Sequence, residues 1–91
     1  MALIGTITVT SAGTAVQNST AGTVRGIMWR ARADNSGTVY VGYSTVSSTN
    51  GVAVSPGDAF TVLFDGYERL ENWYADAATN SDKVDFVADN S

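Results

Sequence analysis

From Ile4 to Thr10 apolar and hydroxyl side chains take turns, with Ile7 and Val9 standing between Thr6, Thr8 and Thr10. A two-residue repeat marks a strand with one buried face. The repeat returns several times. After a break at Ala12-Gly13, a short strand is expected around Ala15-Val16-Gln17, followed by the polar loop Asn18–Gly22. Val24 to Ala33 is expected to place Ile27, Trp29, Ala31 and Ala33 on one face and Met28, Arg30 and Arg32 on the other. Thr38 to Ser44 should turn Val39, Val41 and Tyr43 to one side and Tyr40 to the other. Val52-Ala53-Val54 reads as a minor edge strand, and Phe60 to Phe64 as a strand with Phe60, Val62 and Phe64 inward. Asn72 to Ala77 and Lys83 to Ala88 look like a closing hairpin. On it Trp73, Ala75 and Ala77 would share a face, as would Val84, Phe86 and Ala88.

Turn chemistry separates these runs. Asp34-Asn35-Ser36-Gly37 is expected to be a tight turn, because Asn and Gly tolerate the positive φ of hairpin connections. Asn50-Gly51 and Pro56-Gly57 bracket the short strand. Only Tyr67–Glu71 has helical character, and it is too short to hold a helix alone. Short strands punctuated in this way, with no crossover helices, predict an all-β fold. The expected architecture is a single antiparallel β-sandwich of seven to eight short strands, jelly-roll-like or immunoglobulin-like, spanning residues 1–91 with residues 1–5 free to form an N-terminal arm. Pattern alone does not choose between the two topologies.

Size sharpens this picture. A 91-residue chain buries only about 60–65% of the surface that its unfolded form exposes. With no cysteine, neither disulfides nor a thiolate metal site reinforces that thin core. Such domains gain from association, and a homo-oligomer, trimer or dimer, is expected. Nine acids against five bases give a net charge of −4, which repels phosphate and argues against nucleic-acid binding. No apolar run is long enough to span a bilayer as a helix, and Met1–Ile4 is too short for a signal peptide. No membrane partner is expected, and synthesis in a cytoplasm fits the lack of cysteine.

Candidate chemistry is sparse. Without His or Cys, the commonest general base and the strongest nucleophile are missing. Asp65 with Glu68 or Glu71 is the nearest carboxylate pair, but carboxylates at turns are ordinarily just solvated. Asp34-Asn35 and Asn80-Ser81-Asp82 offer oxygen atoms without the spacing of a calcium loop. The expectation is no enzyme, no catalytic residue, no metal and no cofactor. Contact surfaces are the better candidates. Arg25, Arg30 and Arg32 fall within eight residues of one another, and Arg favours surfaces that meet carboxylates. With Leu3, Ile4, Met28 and Tyr74 they form the expected interface set.

The run Ala33-Asp34-Asn35-Ser36-Gly37-Thr38-Val39-Tyr40-Val41-Gly42, then Ser44-Thr45-Val46-Ser47 and Thr49-Asn50-Gly51-Val52, resembles a small module recurrent in tailed-phage structural proteins. Pro56-Gly57 is kept, while Val54 and Asp58 stand where that module usually has Leu and Glu. Ala12–Gln17 and Trp73–Ala77 with Thr79-Asn80 match in kind, so the resemblance spans nearly the whole chain. It implies a β-sandwich found in head decoration (cement) proteins, head fibres and tail fibres, with structural roles for its motif residues. The implied function is a decoration protein that binds the outer surface of the assembled head and bridges major capsid subunits. The implied location is the capsid surface of the virion, after synthesis in the host cytoplasm. The alternative is a receptor- or carbohydrate-binding module of a head or tail fibre, with Trp73, Tyr74 and nearby acids as a sugar platform.

Overall fold

The computed structural model describes residues 2–90. Eight strands, β1 (Ala2–Val9), β2 (Val16–Gln17), β3 (Thr23–Ala31), β4 (Val39–Gly42), β5 (Val52–Val54), β6 (Ala59–Arg69), β7 (Tyr74–Ala77) and β8 (Asp82–Asp89), make two antiparallel sheets. One sheet has the order β1-β8-β3-β6 and the other β2-β7-β4-β5. Two four-stranded sheets interleaved in this order form a jelly roll, which settles the topology that the pattern left open.

The alternation works as expected at the centre. Ile7 and Val9 of β1, Ile27, Trp29 and Ala31 of β3, and Val84, Phe86 and Ala88 of β8 are buried on one inner face. Val39, Val41, Val54, Ala75 and Ala77 meet them from the other. The alanines leave room for the large rings: Trp29 lies 5.4 Å from Phe86 and 5.8 Å from Trp73, centroid to centroid. Tilted ring pairs at this distance contribute beyond their burial.

The connections depart from expectation. Residues 72–77 and 83–88 do not form a hairpin, because β7 and β8 lie in different sheets. Their apolar faces look at each other across the core, which satisfies the same hydrophobic pattern from opposite layers. Asp34–Gly37 likewise carries the chain from β3 to β4 in the other sheet. No residue in that turn has positive φ. Side-chain clamps shape the arch instead. Asn35 donates to the Lys83 carbonyl at 2.7 Å and accepts from its N–H at 2.9 Å. Buried Asp82 accepts from the N–H groups of Ser36 and Gly37, both at 2.9 Å. Gly37 lets the arch close tightly, since a Cβ there would sit 2.8 Å from Thr79 Oγ1 and turn that hydroxyl away. Among consecutive strands only β4 and β5 pair directly.

Other corrections are local. Residues 2–5 are the start of β1, paired with β8 from Ala2↔Asp89 onward, and not an arm. Met1 lies outside the described residues. Ala33, expected inward, is exposed because β3 ends at Ala31. Tyr43 is exposed where β4 has ended, its ring 5.0 Å from Trp73 and its hydroxyl donating to Glu68 at 2.6 Å. The helical character of 67–71 reduces to one 3₁₀ turn, Leu70–Asn72, that buries Leu70 after β6 has run to Arg69.

β6 also bulges. Val24 pairs with Glu68 but Gly26 pairs with Leu63, so residues 64–67 stand opposite Arg25 alone. Gly66, at φ +119°, supplies the backbone conformation that this excursion needs. The irregularity has a consequence on β3: Val24 is buried and Arg25 is turned outward, where strict alternation from Ile27 would have pointed Arg25 into the core.

Candidate functional site

The outer face of the β1-β8-β3-β6 sheet carries an apolar row that crosses it. Pairing places Ile4 beside Val87, Val87 beside Met28, and Met28 beside Thr61. In the next row Ala2, Asp89, Gly26 and Leu63 are neighbours. Leu63 leans across Gly26, with its Cδ2 3.0 Å from where a glycine-substituting Cβ would lie. Ile4 and Leu63 are 73% and 81% exposed, and Met28 and Val87 about half that. Large aliphatic side chains standing this far out of a sheet face, three in one row and Leu63 beside it in the next, make a contiguous patch and not scattered surface hydrophobes. An open groove lined by Ala2, Arg25, Met28, Thr61, Leu63 and Val87 runs along it.

On the other side of the row stand Thr6, Asp85, Arg30 and Ala59. Arg32 Nε donates to both oxygens of Asp85, at 3.1 and 3.0 Å, and Thr6 donates to the same carboxylate. Partial burial pushes the Asp85 carboxyl up. The hydrogen bonds from Arg32 and Thr6, with the charges of Arg32 and Arg30, outweigh it and hold the carboxyl below its usual range. The same hydrogen bond raises the Arg32 guanidinium. Arg30 forms no ion pair among the described residues. Arg25, at the far corner, stacks over the Tyr67 ring at 5.7 Å.

Of the residues expected at an interface, Ile4, Met28, Arg30 and Arg32 thus come together on one face, with Arg25 at its corner. Leu3 does not: it shares the parity of Ile7 and Val9 and packs half-buried against the core. Tyr74 lies on β7 of the other sheet. Val87 and Leu63 were missed. Each is an apolar residue at the outward phase of its strand, between Phe86 and Ala88 and between Val62 and Phe64, and that phase was the available signal.

Tyr74 contributes to a separate polar groove with Gln17, Tyr43, Ser44, Glu71 and Asn72. The Glu71 carboxyl is held below its usual range by its own backbone N–H and that of Gly22, helped by Arg69 and opposed by burial. The hydrogen bond to Glu68 raises the Tyr43 phenol, and burial adds to the rise. Trp73 is only 7% exposed, wedged among Trp29, Tyr43 and Phe64, so its ring offers no platform to a sugar. Glu68 and Glu71 are thus bound to neighbours, while Asp65 sits exposed in the bulge. No group of three or more Asp or Glu side chains among the described residues is arranged to hold a metal. The chemistry that this surface offers is contact: apolar area with charged margins. Compared with protein-family models, with curated proteins and with solved structures, the chain matches none.

Proposed function

We propose that the protein is a decoration (cement) protein of a tailed-phage head, docking the outer face of its β1-β8-β3-β6 sheet onto the assembled shell of major capsid protein. The observation that carries the reading is the registered row Ile4–Val87–Met28 with Leu63, margined by Arg25, Arg30 and Arg32. An apolar centre with an arginine rim is the anatomy of a protein-binding surface. The resemblance of Ala33–Val52 to the phage module supplies the partner. Because the protein would bind the assembled lattice and not free subunits, its binding free energy would add to the stability of the shell by mass action. The protein would then reside on the capsid surface of the virion, after synthesis in the host cytoplasm.

Co-sedimentation with empty shells of the cognate capsid protein tests this. Saturable binding is expected, weakened at least about tenfold by Leu63→Glu or Met28→Glu, since central apolar anchors carry most interface energy. Tyr74→Ala should leave it unchanged. Wild-type protein that stays in the supernatant would overturn the proposal. A second reading, a glycan-binding module, draws on the groove flanked by Tyr43 and Tyr74. Glycan-array binding that disappears in Tyr74→Ala would favour it instead.

A further inference from the structure

A sheet edge is a row of unpaired N–H and C=O groups ready to accept another strand, and proteins guard such edges with charge, proline, bulges or brevity. This sandwich has four edges. β2 has two residues and β5 has three, with Pro56 two residues beyond. β6 is broken by its bulge and carries Asp65, Glu68 and Arg69. β1 is different. It is eight residues long, pairs without a register break along its whole length with β8, and contains no charge and no proline from Ala2 to Thr10. Its residues Leu3, Ile4, Thr6, Ile7, Thr8 and Val9 are mostly strong strand formers.

We infer that β1 pairs antiparallel with β1 of a second copy, about a two-fold axis normal to the sheet, to give one continuous eight-stranded sheet. Three features favour a second copy as occupant. Two identical strands related by a two-fold satisfy each other's edge groups in the antiparallel geometry that β1 already uses with β8. Each chain carries net charge −4, and this edge lets two of them meet along a seam with no like charges opposed. The apolar row also ends at this edge, on Ile4. A two-fold normal to the sheet keeps both rows on the same side and sets them end to end, doubling the proposed docking surface. The inference deepens the docking proposal in that respect, but the pairing itself does not need a shell.

The test uses the isolated full chain without shells, so its failure is distinct from failure to co-sediment. Sedimentation equilibrium should give twice the 9.5 kDa chain mass at about 100 μM, within the range of weak specific pairings. Thr6→Lys combined with Thr8→Lys places the missing guard on outward positions and should shift the equilibrium at least about tenfold toward monomer, with an unchanged far-ultraviolet spectrum. Because the chain has no cysteine, single Cys variants at Ile4, Thr6 and Thr8 report geometry. Oxidation should link the copies through the one nearest the axis, and Thr61→Cys on the opposite edge strand should stay unlinked. A wild-type monomer at that concentration, or a dimer that links through Thr61→Cys and ignores the lysines, would overturn the inference.

Discussion

Two chain-crossing arches are tied together by one side chain, and removing it should be costly. Asp82 opens β8, is 4% exposed, and accepts hydrogen bonds from the N–H groups of Ser36 and Gly37 at 2.9 Å each. Those donors belong to the arch between β3 and β4, whereas Asp82 closes the arch between β7 and β8. Asp82→Ala leaves both N–H groups without their acceptor. Each orphaned, partly buried donor costs about 1–2 kcal/mol, so the expected loss is about 2–4 kcal/mol. A domain of this length has about 5–14 kcal/mol in total. Urea denaturation followed by Trp fluorescence should therefore show a lower midpoint with an unchanged slope. Asp82→Asn keeps one acceptor oxygen and should fall between the two. Ser36→Ala keeps the backbone donor and should stay within about 0.5 kcal/mol of wild type. If Asp82→Ala also stays within that margin, the arches are held by something other than this carboxylate.

Trp29 and Trp73 are buried with no hydrogen-bond partner for either indole N–H, so both should resist acrylamide quenching until the protein unfolds. Trp29→Ala should cost about 3–5 kcal/mol as a cavity. Trp29→Phe should cost clearly less, because it also removes an unpaired donor; equal losses would refute that account. Gly37→Ala should destabilise only modestly, because its Cβ would clash with just the Thr79 Oγ1, at 2.8 Å, and that hydroxyl can rotate away; Thr79→Ala should remove the loss due to that contact in a double-mutant cycle. The Asp85 carboxyl lies below its usual range in the folded state. Its stabilisation is therefore present above the unfolded value, about pH 4, and is lost as pH falls through the folded value. The advantage of wild type over Asp85→Asn, read from thermal midpoints, should fade on acidification through that range. An advantage that survives well below it would refute the pairing with Arg32 and Thr6 as its source.

The strands were legible because alternation is a local property. Ile7 and Val9, Ile27 and Trp29, and Val84 and Phe86 announce their inner faces from neighbours two residues away. Their pairing was not legible in the same way. Asp34–Gly37 and 78–81 use residues that serve a hairpin or an inter-sheet arch equally well. Asn35 pairing with Lys83 and Asp82 clamping Ser36 and Gly37 are contacts 45 or more residues apart, which no local pattern reveals. The β6 bulge left one trace, Gly66, and moved Arg25 outward against its parity. For the candidate site, Ile4, Met28, Arg30 and Arg32 were readable from strand phase. The same phase argument, carried through, places Leu3 inside and picks out Val87 and Leu63.

The two sheets are built unequally, and that inequality selects the face. The strands of β2-β7-β4-β5 have two to four residues. Its outward position Asp76 is buried and tied to the Gly13 N–H at 3.0 Å, where the loop after β1 folds over the sheet. Little flat surface is left there. The strands of β1-β8-β3-β6 run to eight residues or more, and no described segment is clamped over their outer face in that way. A core this thin gains little from leaving Ile4 and Leu63 in water, since each exposed aliphatic side chain forgoes about 1.5–3 kcal/mol of burial. A polar side chain at either position would serve an isolated sandwich as well. Their placement beside Val87 and Met28, Ile4 in the same row and Leu63 in the next, makes energetic sense once something covers that face, and only the longer sheet has room to be covered.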